Sequence, residues 1–125
     1  CMRNALESFE GNVDYINAHG TSTTVGDVAE INAIQKVFTD NDVKISSTKS
    51  LTGHSLGATG AQEIIFSLLM MNNNFISPSI NLENVIKEAD GLNIITDQND
   101  ISFNSFMSNS FGFGGTNSCL IFEKD

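Results

Sequence analysis

Two histidines, His19 and His54, stand in matching surroundings: His19-Gly20-Thr21-Ser22-Thr23 and Thr52-Gly53-His54-Ser55-Leu56-Gly57 are each a short Gly/Ser/Thr loop that opens a helical pattern. An imidazole just ahead of a helix N-terminus feels the positive end of the helix dipole. That disfavours imidazolium and leaves a neutral ring with one N–H to donate. Two such rings aimed at one point would hold a developing oxyanion. A single histidine is more often a satisfied structural residue, but the matched pair, with glycines that let a substrate approach the backbone, moves the reading toward a site.

The other residues with chemical potential have ordinary roles to weigh against it. Lys49 precedes His54 in a strand-to-loop setting, where most lysines are simply solvated. Glu30 fits the third helical position of a capping box opened by Asp27. Glu63 is the lone charge on an otherwise apolar helix, and a buried carboxylate needs a cation or hydrogen-bond donors, so a paired or metal-bound Glu63 is expected. Cys119, in the strand Cys119-Leu120-Ile121-Phe122, reads as an inert core thiol. No compact His/Glu cluster supports zinc at His19 and His54.

The elements that carry these residues follow from periodicity and punctuation. Met2 to Phe9 reads as the end of a helix, Val13 to Ile16 as a strand running into the His19 loop, and Val28, Ile31, Ile34, Val37 and Phe38 recur at helical spacing. Asp40-Asn41-Asp42 ends that helix, and Val43 to Thr48 is a second strand leading to Lys49. Ala58 to Asn72 is apolar on nearly every face, the pattern of a helix buried all round. Leu92 to Thr96, Phe103 to Ser110 and Asn117 to Glu123 read as three more strands, the last two flanking the turn Gly112-Phe113-Gly114-Gly115. Strand, helix, strand, helix and three strands predict an α/β fold with a mixed sheet flanked by helices. Both histidines and Lys49 fall just beyond the carboxyl ends of strands, where such sheets place ligands.

With 125 residues the chain is about one domain with one sizeable core. Six Lys and Arg against fifteen Asp and Glu give a net charge of −9, which argues against nucleic acid or an anionic membrane as partner. Two cysteines make no disulfide framework, so a reducing, cytoplasmic compartment is the default. The apolar run Leu68 to Met71 is far short of the roughly 20 residues that cross a bilayer.

Taken together, Asn17-Ala18-His19-Gly20-Thr21-Ser22-Thr23, Lys49-Ser50-Leu51-Thr52-Gly53-His54-Ser55-Leu56-Gly57-Ala58 and Asn109-Ser110-Phe111-Gly112-Phe113-Gly114-Gly115-Thr116-Asn117 resemble the C-terminal half of a β-ketoacyl-acyl carrier protein synthase, a condensing enzyme of fatty-acid synthesis. The likeness runs over residues 1–125 and implies the C-terminal half of a thiolase-like fold. Two histidines mark the elongating type, and Gln62-Glu63 with Ser67-Leu68-Leu69-Met70 is more like synthase I than synthase II. A synthase II type enzyme and a non-catalytic partner subunit are the alternatives. An acyl hydrolase is disfavoured by the lack of a serine nucleophile elbow.

The resemblance implies a decarboxylative Claisen condensation in which His19 and His54 stabilise the enolate of a malonyl thioester. It also implies that a Lys49–Glu30 ion pair orients the histidines and that Thr21 and Thr23 hydrogen-bond the phosphopantetheine arm. Phe111 and Phe113 would gate the acyl pocket, with the Phe113 N–H in the oxyanion hole. Asn17, Glu30, Glu63, Ser108 and Asn109 match positions that surround a structural monovalent cation. No other cofactor is required, since phosphopantetheine arrives on the acyl carrier protein. The intact enzyme would be a homodimer. Its nucleophilic cysteine would lie in an N-terminal half that this chain lacks, and neither Cys1 nor Cys119 occupies a matching motif. The six basic residues are scattered, so carrier-protein docking is expected to rest on that other half or on a partner subunit.

Overall fold

A computed structural model describes residues 1–39, 42–97 and 100–125. In chain order the elements are α1 (Met2–Leu6), β1 (Tyr15–Asn17), α2 (Thr24–Val37), β2 (Lys44–Ser46), α3 (Lys49–Thr52), α4 (Thr59–Asn73), β3 (Asn93–Ile94), β4 (Ser105–Phe111) and β5 (Asn117–Glu123). Single 3₁₀ turns occupy Leu56–Ala58, Lys87–Ala89 and Phe113–Gly115. The strands form one sheet in the order β3-β2-β1-β4-β5. β1 pairs in parallel with β2 and β4, β2 in parallel with β3, and only the β4–β5 hairpin is antiparallel. The expected α/β class with a mixed sheet is therefore what forms.

Alternation along the central strands sorts the core into two layers. Ile16, Ile45 and Met107 face one way, onto Ile34 and Phe38 at the end of α2 and onto Met2 of α1. Tyr15 and Phe106 face the other way, onto Met70 and Met71 of α4 and onto Ile76 and Phe103. The Tyr15 hydroxyl lies 2.9 Å from Ser46 Oγ, so this buried phenol is satisfied inside the core. Ile16, Ile34 and Ile76 are at most 1% exposed, and burying such a side chain is worth about 1.5–3 kcal/mol.

Three local expectations are corrected, and a fourth falls outside the described residues. α2 starts at Thr24 with Thr23 as its N-cap, so Asp27 sits in the first turn and donates its N–H to the Thr23 carbonyl. The Asp27–Glu30 capping box therefore does not form. Lys49 opens a short helix rather than a loop; Gly53, at φ +72°, ends it in a conformation that suits glycine. α4 is not buried all round, because one face lies on the sheet while Ile65 and Leu69 are more than half exposed. The buried face is the polar one, Thr59, Glu63 and Ser67, followed by Met70 and Met71. The Asp40-Asn41 stretch expected to end α2 lies outside the described residues; within them, α2 ends at Val37 with Phe38 as its C-cap.

Cys119, partly buried on β5, has its thiol pushed up to about 11 from an ordinary 9.0, mainly by burial. A raised folded-state value makes the thiol's contribution to stability complete below its unfolded value and lost as pH rises through about 11. Because the thiolate is the reactive form, Cys119 is expected to alkylate on the order of 100-fold more slowly than a free thiol at neutral pH. Cys1, which is exposed, should label promptly. Mass spectrometry of iodoacetamide-treated chain, native against urea-unfolded, checks this; equal native labelling of both would refute it.

Candidate active site

Both histidine loops leave the carboxyl edge of the sheet, and the rings meet there. The His19 and His54 centroids are 5.5 Å apart with planes 86° to one another, an edge-to-face contact. Phe111, at the end of β4, closes the third side with its ring 6.1 Å from that of His19. Three separate returns of the chain thus converge on one corner.

The backbone under His19 is held by Glu30. Its Oε1 accepts the His19 N–H at 2.9 Å and the Asn109 side-chain amide at 3.2 Å, and its Oε2 accepts the Gly20 N–H at 2.9 Å. Burial raises the Glu30 carboxyl above the usual range, against the lowering effect of these hydrogen bonds and of the Lys49 charge. Gly20 has φ +31°, and a Cβ there would stand 2.8 Å from Ser47 Cβ, so the tight turn needs glycine.

The expected Lys49–Glu30 ion pair does not form. Lys49 Nζ instead bonds Glu63 Oε1, with both side chains almost fully buried. Glu30 is engaged by the loop amides, whereas Glu63 comes from the polar face of α4 that lies against the sheet edge. The expectation that Glu63 is a paired carboxylate holds. Burial raises its carboxyl, while the bond to Lys49 acts the other way.

Asn17 ties these elements together. Its side-chain amide donates to Thr48 Oγ1, the Glu63 carbonyl and Ser67 Oγ at 3.1–3.4 Å, and its Oδ1 accepts the Thr48 N–H at 3.3 Å. One fully buried residue at the end of β1 thereby fixes the start of α3 and the middle of α4. The sequence signalled Asn17 and Ser67 only through motifs of the resemblance, and Thr48 gave no signal.

His54 has its tautomer set by its own loop. The Leu56 N–H donates to His54 Nδ1 at 3.1 Å, and Thr59 Oγ1 lies 2.9 Å from the same nitrogen. A nitrogen that accepts an N–H carries no proton, so the His54 proton is on Nε2. The return of the Leu56 amide requires a left-handed backbone, φ +54°, which costs a leucine about 1–2 kcal/mol. His19 is kept neutral chiefly by burial, then by the positive charge of Lys49 and by His54, which push its pKa below the ordinary histidine value; Asp27 acts weakly in the opposite sense.

The remaining expected site residues divide. Thr21 and Thr23 lie together, their hydroxyls 3.3 Å apart, at the start of α2. Thr21, Lys49 and His54 line a cavity of about 420 Å³ that continues between Ile31 and Ile34 of α2 and Val85 and Ile86 of the segment before β3. Phe113 is fully exposed in its turn rather than packed over the histidines. Of the five residues expected around a cation, Glu63 and Asn109 each have a buried oxygen, Oε2 and Oδ1, without a hydrogen-bond partner. Among the described residues no group of three or more His, Cys, Asp or Glu is arranged to hold a metal, and no helix is long and apolar enough to cross a membrane.

A family model described as the beta-ketoacyl synthase C-terminal domain matches residues 1–83. Over 124 residues the chain is 54% identical to 3-oxoacyl-[acyl-carrier-protein] synthase 1 of Escherichia coli (strain K12), covering 99% of this chain and 30% of that protein. Its fold is that of a beta-ketoacyl synthase from Burkholderia phymatum STM815, with TM-score 0.92 and 41% identity over 99% of this chain and 31% of that one. It matches equally well, at TM-score 0.92 and 30% identity over 100% of this chain and 32% of the other, a type II PKS ketosynthase solved in complex with its acyl-carrier protein. The chain thus spans about a third of the length of these relatives.

Proposed function

Because the chain belongs to the β-ketoacyl synthase family, matching its C-terminal domain and sharing the thiolase-like ketosynthase fold, we propose that it is the oxyanion-stabilising portion of an elongating synthase of the synthase I type. In this reading an acyl group is carried on a cysteine outside these 125 residues, and malonyl-acyl carrier protein is the second substrate. Loss of carbon dioxide sends the electron pair of the broken C–C bond into the thioester, placing negative charge on its oxygen. One N–H from His19 and the Nε2–H of His54 receive that oxygen. The resulting carbanion attacks the acyl thioester, forms the new C–C bond and expels the cysteine thiolate.

The observation that carries this reading is the edge-to-face histidine pair with the His54 proton directed to Nε2. Both N–H groups are in place before the charge arrives, so they stabilise it without reorganisation at the moment of reaction. Lys49, held by its ion pair with Glu63, acts on His19 through its positive charge and is not a proton donor in the reaction. Thr21 and Thr23 hydrogen-bond the phosphopantetheine arm, with Phe111 beside the histidines and Phe113 swinging over the acyl chain. The same reading gives a homodimeric, cytoplasmic enzyme docked by acyl carrier protein, with no cofactor beyond the carrier's own arm.

The orphaned oxygens of Glu63 and Asn109 suit a monovalent cation, which Asn17, Glu30 and Ser108 would help to enclose. Such an ion would offset the carboxylates beneath the histidines.

The test is reconstitution. The 125-residue chain alone is expected to form no condensation product from acyl- and malonyl-carrier protein, and the same chain joined to its cysteine-bearing portion is expected to turn over. Turnover by the chain alone, comparable to that of a complete synthase, would sink the proposal.

A further inference from the structure

His54 rides on a loop whose residues 53–58 are all exposed, yet a donor in an oxyanion site must hold its direction to a fraction of an ångström. The Leu56 amide alone is a poor anchor, because it belongs to the same loop and moves with it. Thr59 is different. It is the first residue of α4, it is 4% exposed, and its hydroxyl lies 2.9 Å from His54 Nδ1. Its β-branched side chain has few rotamers in a helix, so the hydroxyl is a fixed point on the rigid layer of the fold.

The direction of this bond follows from its neighbour. Nδ1 already accepts the Leu56 N–H, so it bears a lone pair, and a lone pair can be approached only by the hydroxyl's proton. A proton moved onto Nδ1 would turn two attractive contacts into one clash with the Leu56 N–H and one reversed bond. The two donors therefore act together against the Nδ1–H tautomer.

We propose that Thr59 is a positioning residue for His54: its hydroxyl donates to Nδ1 and ties the loop-borne ring to α4 with the proton held on Nε2. The part of this proposal that concerns rate rests on the reading of His54 as an oxyanion donor; the part that concerns the ring does not. Charged groups need not be invoked, since the contact is between two neutral side chains.

The experiment compares Thr59→Val, which keeps the shape and removes the hydroxyl, with Thr59→Ser, which keeps the hydroxyl, in the full synthase labelled with ¹⁵N-histidine. In Thr59→Val the Nδ1 resonance of His54 is expected to move toward that of a ring nitrogen with fewer donors, and Thr59→Ser is expected to restore it. Carbon dioxide release from malonyl-carrier protein should fall about 3–10-fold in kcat with KM unchanged, the loss expected for one hydrogen bond, and should recover in the serine variant. An Nδ1 resonance that is unchanged in Thr59→Val, or a serine variant no better than valine, overturns the proposal. A shifted resonance with unaltered decarboxylation supports the hydrogen bond and instead overturns the assignment of His54 as a donor. Should the valine variant not fold, Thr59→Ala against Thr59→Ser decides by the same resonance.

Discussion

Replacing His19 or His54 by alanine in the full synthase is expected to block carbon dioxide release from malonyl-carrier protein while the cysteine still takes up an acyl group. In the proposed function each ring supplies one donor to the charge that develops on the thioester oxygen, and removing one such donor costs about 10²–10³ in rate. The double variant should fall by less than the product of the single losses, because two rings in edge contact at 5.5 Å position one another. Radiolabelled acyl transfer beside carbon dioxide release separates the two steps. Release that continues at the original rate in both variants would remove the histidines from this role. The pH dependence carries a second check. A histidine whose folded value lies below the ordinary one stays neutral further into acid, so a larger fraction of His19 than of free histidine should be neutral at pH 6.5, where about half of free histidine is charged.

The Lys49–Glu63 pair is where the largest change in stability is expected. Both side chains are at most 4% exposed, so deleting one partner strands a buried charge and costs about 3–5 kcal/mol, against roughly 0–1 for an exposed pair. A double-mutant cycle of Lys49→Ala and Glu63→Ala, followed by urea unfolding, should therefore be strongly non-additive, with the double variant little worse than either single one. Glu30→Ala should damage the molecule by another route, by releasing the His19 and Gly20 amides that its carboxylate holds. Its coupling to Lys49 is expected to be the weaker of the two. Additive losses for Lys49 and Glu63 would show that the pair carries no mutual energy.

What the sequence made legible was what depends on local pattern. The α2 periodicity from Val28 to Phe38, the β4–β5 hairpin around its glycines, and the two histidine loops at the edge of the sheet can all be read from neighbours in the chain. What it hid was partner choice. Glu30 and Glu63 are both carboxylates on helices, and no local rule says that one caps a loop while the other meets a lysine. Only the packing of α4 against the sheet decides that. Hydropathy likewise failed on α4: a helix rich in Ile, Leu and Met invites burial on every side, yet its sheet-facing stripe is Thr59, Glu63 and Ser67, because that is the side on which the polar groups of Asn17 and Lys49 must be satisfied. The short α3 was marked only by Gly53.

The strand order also dictates a sequence of events in time. β1 and β2 join across α2 early in the chain, but the other edge of β1 waits for β4, as Asp14 and Ser105, 91 residues apart, make plain. Glu30 reaches Asn109 across 79 residues. As the chain leaves the ribosome, the βαβ unit is complete while an unpaired strand edge and a half-supported histidine loop remain exposed. Contacts closed over such long loops form slowly. The histidine corner is thus closed only when β4 arrives. A nascent chain stopped before β4 presents an open edge suited to chaperones or to aggregation, with the Glu30 carboxylate still lacking Asn109.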